Sequence, residues 1–399
     1  MLIYENFLKF VSLQLRLQSI FGLSPFSLES NPIPKVVLCS KNRVTQLWLK
    51  LLFLTITVFI LWIQIAESKN EQLATSLQSI FFANTFVSML IQCGIILWKR
   101  ENVALLFNLF LQFEYCNLPH WKSLNAMKRH EKLAMKTLFL ITYFCPPIGA
   151  LFYCLHKWFL PCTSATVGWK HLPECSGNMT QMQVAWSTES MTYLLLLNIF
   201  TFWLVVDIIG RLCSQDSVFV FLECCGLTQY LRYLRNVLVL ECETNNLFSS
   251  SSKILVYRQL QILTHFYNVI LQNYQIAYLQ LALPAIIICS FAVIGEANNL
   301  LAVQLLFFAY VAFSSVVAIV VVVSVLACAH TESTISLDFM REQLVPKCGR
   351  KTRKLLEKYV VSFPVLKVNI GEVNFVEKTT LIEMLKFCVD QTTSLLLMR

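Results

Sequence analysis

Charged residues are scarce in this chain. They make up 14% of its 399 residues, whereas soluble globular proteins carry roughly 25%. Hydrophobic residues make up 56%, and the mean hydropathy is +0.61. A soluble core cannot bury so much apolar surface, so lipid must surround much of the chain. The composition therefore excludes an ordinary soluble domain and indicates several membrane-spanning helices.

Other features are missing as well. Ten Gly and eleven Pro are too few for a linker-rich or disordered chain. The fifteen Cys include no paired C-x-x-C pattern, and the six His form neither H-x-x-x-H nor H-E-x-x-H. A nucleophile elbow and a phosphate-binding loop are also absent from the sequence. We therefore expect no metal, no cofactor and no enzyme activity.

Residues 1–30 lack the pattern of a cleavable signal peptide, so the first span is expected to direct membrane insertion.

Seven stretches are candidates for crossing the bilayer, which requires about 20 mainly apolar residues. The last is the most polar, because it carries Glu383, Lys386 and Asp390. Ionisable residues inside a span usually face protein or a water-filled path, which predicts a pore-lining span. The alternative is an amphipathic helix on the membrane surface. The predicted spans are 47–66, 77–98, 137–155, 191–206 with a continuation to 213, 276–295, 300–329 and 379–398.

Basic residues indicate the orientation, since cytosolic loops carry the excess of Lys and Arg. With the N-terminus inside, the cytosolic segments hold 24 Lys and Arg, and the outer segments hold 4. The C-terminus then lies outside. The same distribution explains the net charge of +9 without a nucleic-acid partner. The segment 156–190, predicted to lie outside, contains a glycosylation acceptor at Asn178. Cys162 and Cys175 in this segment either form a disulfide or are free thiols. Cys154 is an alternative disulfide partner.

This reversed layout excludes a G-protein-coupled receptor, whose N-terminus lies outside. Together with the length and the short outer loop at 296–299, it resembles the insect-type gustatory and odorant receptor superfamily. The stretch 370–375 (Ile-Gly-Glu-Val-Asn-Phe), followed by 381–385 and 391–397, is similar to the gustatory-type ending, in which a Gly-containing turn precedes the final helix. In the commoner ending Thr-Tyr precedes an aliphatic run and a Gln, whereas here Asp-Gln-Thr-Thr stands at 390–393. The resemblance favours the gustatory branch.

The resemblance implies an all-α, seven-helix protein of the plasma membrane that acts as a ligand-gated, non-selective cation channel. It implies a homo- or hetero-tetramer with a pocket for a small tastant or odorant among spans two to six, and a central pore lined by span seven. The organisation is then a cytosolic N-terminal segment at 1–46, spans one to four at 47–213, a cytosolic helical anchor at 214–275, spans five and six at 276–329, further anchor helices at 330–378 and the pore-lining span at 379–399.

Side chains on the last span suggest pore functions. Met384, Phe387, Gln391 and Ser394 share one helical face. Phe387 and Met384 are candidates for an apolar constriction that gates by dewetting, and Gln391 for a ring of amides that replaces ion hydration. Asp390 lies on the adjacent face, where it either pairs with Lys386 or attracts cations. The alternative is that these polar groups satisfy one another inside a helix bundle.

Ligand contacts are predicted among aromatic residues of spans two to five, although most aromatic residues in spans only pack. An odorant needs mainly an aromatic lining, whereas a sugar needs convergent polar groups such as Asn84, Thr85 and Gln92; the sequence leaves both open. A multi-pass transporter is the alternative function, but it predicts inverted repeats, and we find none. The candidate pocket residues are Phe82, Phe86, Tyr143, Phe144, Tyr193, Trp203 and Tyr278.

Overall fold

The computed structural model is almost entirely helical in the part that it describes: residues 25–29, 35–38, 41–67, 73–117, 226–244, 250–298, 300–347, 350–371 and 374–398, with a few single positions between 133 and 199. The helices are α1 (Lys41–Glu67), α2 (Leu73–Trp98), α3 (Arg100–Asn117), α4 (Thr228–Thr244), α5 (Ser250–Gly295), α6 (Ala302–Phe339), α7 (Arg350–Ser362) and α8 (Lys378–Leu397). Two antiparallel hairpins accompany them, β1 (Phe26–Glu29) with β2 (Lys35–Leu38), and β3 (Asn369–Ile370) with β4 (Asn374–Phe375).

Four of the described helices are long and apolar enough to cross a membrane. They are α1, α2, α5, and α6 with its continuation to Lys347, which coincide with the predicted spans one, two, five and six. The predicted spans at 137–155 and 191–206 lie outside the described residues except for a few single positions. The predicted seventh span forms helix α8. Its charged residues make it too polar to be counted with these four apolar helices. The structure therefore describes a multi-pass helical membrane protein.

Helix α1 shows how the sequence pattern sets the packing. Leu47, Leu54 and Leu61 recur at seven-residue intervals and are all buried, because this spacing returns to the same side of a helix. That side packs against α2. Large apolar side chains such as Phe53 and Phe59 cover the opposite side and are exposed. An apolar exposed surface of this kind is suited to lipid contact.

Helices α5 and α6 extend well beyond the membrane. The 46 residues of α5 rise about 69 Å, whereas the hydrocarbon layer is about 30 Å thick. Helix α5 runs through residue 275 without a break, although the sequence suggested an amphipathic helix followed by a separate span. Helix α6 continues through a π-helical turn, Met340–Leu344, to Lys347, which agrees with the expected extension of the 300–329 run past the membrane.

One expected helix is wrong in its bounds. Among the anchor helices expected at 330–378, the first has no separate start, because residues 330–347 continue α6, and α7 ends at Ser362. Residues 363–368 have no helical or strand structure. Pro364 accounts for the end, because a proline restricts the residue before it to extended conformations.

A buried ion pair joins the helices outside the predicted spans. Arg232 of α4 donates from Nε to Oε1 of Glu332 at 2.7 Å, and Arg235 donates from Nη1 to Oε2 at 3.0 Å. Glu332 lies on α6 just past the predicted span and is buried. Nearby, the rings of Phe113 and Tyr230 pack at 5.1 Å. Burial, with a smaller effect of the Glu114 carboxylate, raises the pKa of Tyr230 well above its ordinary value, so this phenol stays neutral.

The short hairpin β3–β4 leads into α8. Its turn contains Gly371, whose φ of 68° lies in the left-handed region that glycine adopts without strain. A Cβ at this position would lie 2.9 Å from Cδ1 of Ile276 on α5, so the turn is seated directly against that helix. Val376 closes the hairpin by donating to the carbonyl of Val368 at 2.9 Å. The Gly-containing turn expected before the final helix is therefore present.

Candidate pore-lining helix and ligand pocket

Helix α8 satisfies most of its own small polar groups. At its start, the amide of Glu377 donates to Oγ1 of Thr380 at 2.9 Å, which pairs one backbone group at the helix end. Further along, Thr392 donates to the carbonyl of Cys388 and Ser394 to that of Asp390, both at 2.8 Å. Hydroxyl groups bonded to the preceding helical turn need no partner from another helix. The longer side chains of α8 therefore determine which surfaces it can contact.

One side of α8 packs on the rest of the chain. Cys388 and Thr392 are buried on this side, and Leu381 and Met384 are partly buried beside the main core cluster. The helices that α8 contacts are α5 and α6. Of the predicted pore residues, Met384 thus lies at the edge of the packed side rather than in the middle of an open face.

The exposed surface of α8 is divided into two flanks, given 100° of rotation per residue. Phe387, Asp390, Gln391 and Ser394 lie together on the first flank and are all exposed. The second flank carries Ile382 and Val389, which are 69% and 63% exposed. We call these the polar flank and the apolar flank. Four of the five predicted pore residues therefore share one exposed surface.

The polar flank differs from the exposed surface of α1, which suits lipid. On α1 the exposed side chains are large and apolar, whereas the polar flank presents a carboxylate, an amide and a hydroxyl beside Phe387. Charged and amide groups are costly in hydrocarbon and face water or protein instead. Lys386 and Asp390 are both exposed, and in the described part of the chain they form no ion pair with each other. The pairing considered along the helix is thus not made within this chain.

An aromatic cluster brings α2 and α6 together. The ring of Phe307 lies 5.3 Å from Phe82 and 5.8 Å from Phe81. Phe152, one of the single described positions, lies 6.1 Å from Phe307 and 5.7 Å from Tyr310. These separations are typical of interacting aromatic pairs. Phe86 is buried in the same group, so the structure brings together two predicted pocket residues and adds Phe307, which sequence reasoning missed.

The other predicted site residues are dispersed or not described. Tyr278 of α5 is partly buried against the main core, in a different cluster from Phe82. Among the polar alternatives on α2, Thr85 donates its hydroxyl to the carbonyl of Phe81 at 2.8 Å, and Gln92 is fully buried. Seven predicted positions lie outside the described residues: Tyr143, Phe144, Tyr193, Trp203, Asn178, Cys162 and Cys175.

Comparison with known proteins identifies the fold. No family model matches the sequence, and no curated protein is similar to it. Among solved structures, the insect olfactory receptor OR5 from Machilis hrabei matches with a TM-score of 0.68 at 14% identity, over 99% of this chain and 100% of that chain. The same receptor in complex with eugenol matches with a TM-score of 0.67 at 15% identity, over 99% and 100%.

The chain has the insect olfactory receptor fold. The expected resemblance to insect-type chemoreceptors is thereby confirmed at the level of fold, and the choice between gustatory and odorant branches stays a prediction. Both solved neighbours are structures of an insect olfactory receptor, and the absence of enzyme activity in this chain stays a prediction. The match covers the whole chain, so the olfactory receptor fold includes α8 and the helices that extend beyond the membrane.

Proposed function

We propose that this chain is a chemosensory receptor of the insect-type superfamily and acts as a ligand-gated, non-selective cation channel in the plasma membrane. Seven helices cross the bilayer with the N-terminus inside and the C-terminus outside. Four subunits, identical or mixed, surround a central pore lined by α8. The observation that carries this proposal is the exposed polar flank of α8.

The position and length of α8 support a membrane-crossing role. The hairpin before it is seated at Ile276, where the predicted apolar span of α5 begins, so α8 starts at the level of that span. Its 20 residues rise about 30 Å, which matches the hydrocarbon thickness. A helix lying on the membrane surface would not pack along both α5 and α6, as α8 does. The polar flank then needs a water-filled path.

Each residue of the polar flank has a proposed part in conduction. Phe387, with Met384 at its edge, forms an apolar constriction that gates by dewetting. Gln391 supplies a ring of amides that replaces the hydration of the ion, and Ser394 lies one turn further along. Four copies of Asp390 raise the local cation concentration. The apolar flank, with Ile382 and Val389, contacts lipid or a neighbouring subunit.

The aromatic cluster supports a small-molecule pocket at the outer end of the spans. Phe82 and Phe86 lie there with Phe307, and aromatic side chains suit an apolar ligand held by few polar groups. The solved neighbour binds eugenol, and an aromatic ligand would suit this cluster. Tyr143, Phe144, Tyr193, Trp203 and Tyr278 remain proposed further contacts. Asn178 remains the proposed glycosylation site, and Cys162–Cys175 the proposed disulfide.

Ion currents test the proposed channel. Cells expressing the chain are exposed to a panel of sugars, bitter compounds and volatiles that includes eugenol, and currents are recorded by patch clamp. In Asp390→Asn we expect cation conductance at low salt to fall about fivefold, since a unit charge at 4 Å in water is worth about 1 kcal/mol. The matched control Val389→Ala, on the apolar flank, should conduct normally. Evoked currents that Asp390→Asn and Gln391→Ala leave unchanged would contradict the pore assignment.

A further inference from the structure

The segment between α7 and the hairpin turn is held by side chains of α5 and α6. We call residues 363–371 the strap. Pro364 accepts hydrogen bonds at its carbonyl from the hydroxyl of Tyr257 at 3.2 Å and from Nε2 of Gln261 at 3.1 Å. The amide of Leu366 donates to Oγ of Ser333 at 2.8 Å. The hydroxyls of Ser333 and Tyr257 are also bonded, at 2.7 Å. The backbone groups at 364 and 366 are thus paired by side chains, whereas residues 369–370 pair with β4.

Asn268 of α5 binds the strap at two points. Its Nδ2 donates to the carbonyl of Lys367 at 2.8 Å, and its Oδ1 accepts from the amide of Asn369 at 3.0 Å. One amide group therefore satisfies a donor and an acceptor two residues apart, as a neighbouring β-strand would. Asn268 is buried, so removing it would leave two backbone groups unpaired in a poorly hydrated place.

The strap lies along α5 almost fully extended. Pro364 is bonded between positions 257 and 261, and Gly371 lies at Ile276. The helical rise from residue 259 to 276 is about 25 Å, and the strap from 364 to 371 reaches about 23–25 Å when extended. The two hydrogen bonds of Asn268 lie near the middle of this stretch of α5 and near the middle of the strap. Because an extended segment cannot lengthen, these contacts limit how far the start of α8 can move along α5 away from Asn268.

We propose that Asn268 is the positioning residue that couples α8 to α5, so that α8 follows α5 and does not move independently of it. Helix α5 reaches the same buried cluster as Phe82 and Phe307 through Ala285, Cys289 and Ala292. A displacement of α5 that begins at this cluster passes Pro284, which lies within the helix, and reaches Asn268, and from there the strap carries it to α8. The role of this coupling in gating rests on the proposed channel function, whereas the mechanical coupling does not.

Hydrogen–deuterium exchange of the full-length protein in lipid nanodiscs tests the coupling. Asn268→Leu removes both bonds to the strap at similar side-chain size. We expect exchange in peptides covering 363–376 and 378–388 to rise about tenfold or more, the change expected when two ordinary hydrogen bonds are lost. The α7 peptide, 350–362, should be unaffected. Asn273→Leu makes the same substitution at an exposed position of the same helix, and this matched control should exchange as the wild type does.

A second variant keeps the test decisive if Asn268→Leu does not fold. Tyr257→Phe keeps the ring that stacks on Phe363 at 5.3 Å and removes only the hydroxyl, so a smaller increase in the same two peptides is expected. Increased exchange confined to the strap, with 378–388 still protected, would overturn the coupling, as would unchanged exchange of the strap.

In patch-clamp records Asn268→Leu should change open probability and leave unitary conductance unaltered. Absence of current in every variant would remove the channel proposal, and exchange would still decide the coupling.

Discussion

At the scale of single residues, the clearest energetic expectation concerns Glu332. Its carboxylate is buried and pairs with both Arg232 and Arg235. Removing one partner of a buried ion pair leaves an uncompensated charge and costs about 3–5 kcal/mol. Glu332→Ala should therefore lower the thermal unfolding temperature of the purified protein strongly, as measured by tryptophan fluorescence in detergent.

A control for Glu332→Ala is available on the same helix. Asp338 and Arg341 are 4.0 Å apart and about half exposed, and exposed pairs of this kind contribute about 0–1 kcal/mol. Asp338→Ala should leave the unfolding temperature almost unchanged. Equal effects of the two substitutions would contradict the assigned difference in burial.

Single-residue contacts were also the least predictable part of the site. Phe82 and Phe86 were chosen from the sequence because aromatic residues occur at a plausible depth in span two. Their partner Phe307 lies more than 200 positions away, and only the packing of α2 against α6 brings the rings together. Asn268 was equally hidden, because its function depends on the fold that brings the backbone of Lys367 and Asn369 beside α5.

At the scale of elements, the two flanks of α8 lead to a test of its environment. Single cysteines at 387, 390, 391 and 394 should react quickly with a water-soluble thiol reagent, since the polar flank faces water. Cysteines at 382 and 389 should react slowly, because lipid or protein covers the apolar flank. The native Cys388 is buried, but Cys116 is exposed, so labelling is compared with that of the parent chain without the added cysteine. The reaction is followed by the mass shift of the labelled protein on a gel. Equal labelling of both flanks would contradict a pore lined by the polar flank.

Helix existence was well predicted at this scale, and helix bounds were less so. The predicted spans 47–66 and 77–98 correspond to α1 and α2, which extend further at their N-terminal ends. Hydropathy reports which residues cross lipid, and polar residues such as Lys41 and Gln46 continue a helix outside it. The same reason explains why α5 was divided at 275: its polarity changes there, but no Gly or Pro interrupts the helix between 251 and 283.

At the scale of the whole molecule, the part of α5 before its predicted span should contact other subunits. Leu255, Ile262 and Val269 recur at seven-residue intervals and are 58%, 49% and 51% exposed. Such an apolar stripe outside lipid indicates a protein contact. Ile262→Glu should therefore dissociate the assembly into smaller species in light scattering after gel filtration. Gln259→Glu, at an exposed polar position one turn away, adds the same charge and should keep the assembly intact. Equal sizes for both variants would contradict the proposed contact.

The orientation of the whole chain determines whether α8 can line a pore at all. Epitope tags at the two ends of the chain measure this directly in intact cells. Antibody should bind the C-terminal tag on non-permeabilised cells and should reach the N-terminal tag only after permeabilisation. A C-terminal tag that is reached only after permeabilisation would mean that α8 does not cross the bilayer, and this result would contradict the pore and the receptor channel together.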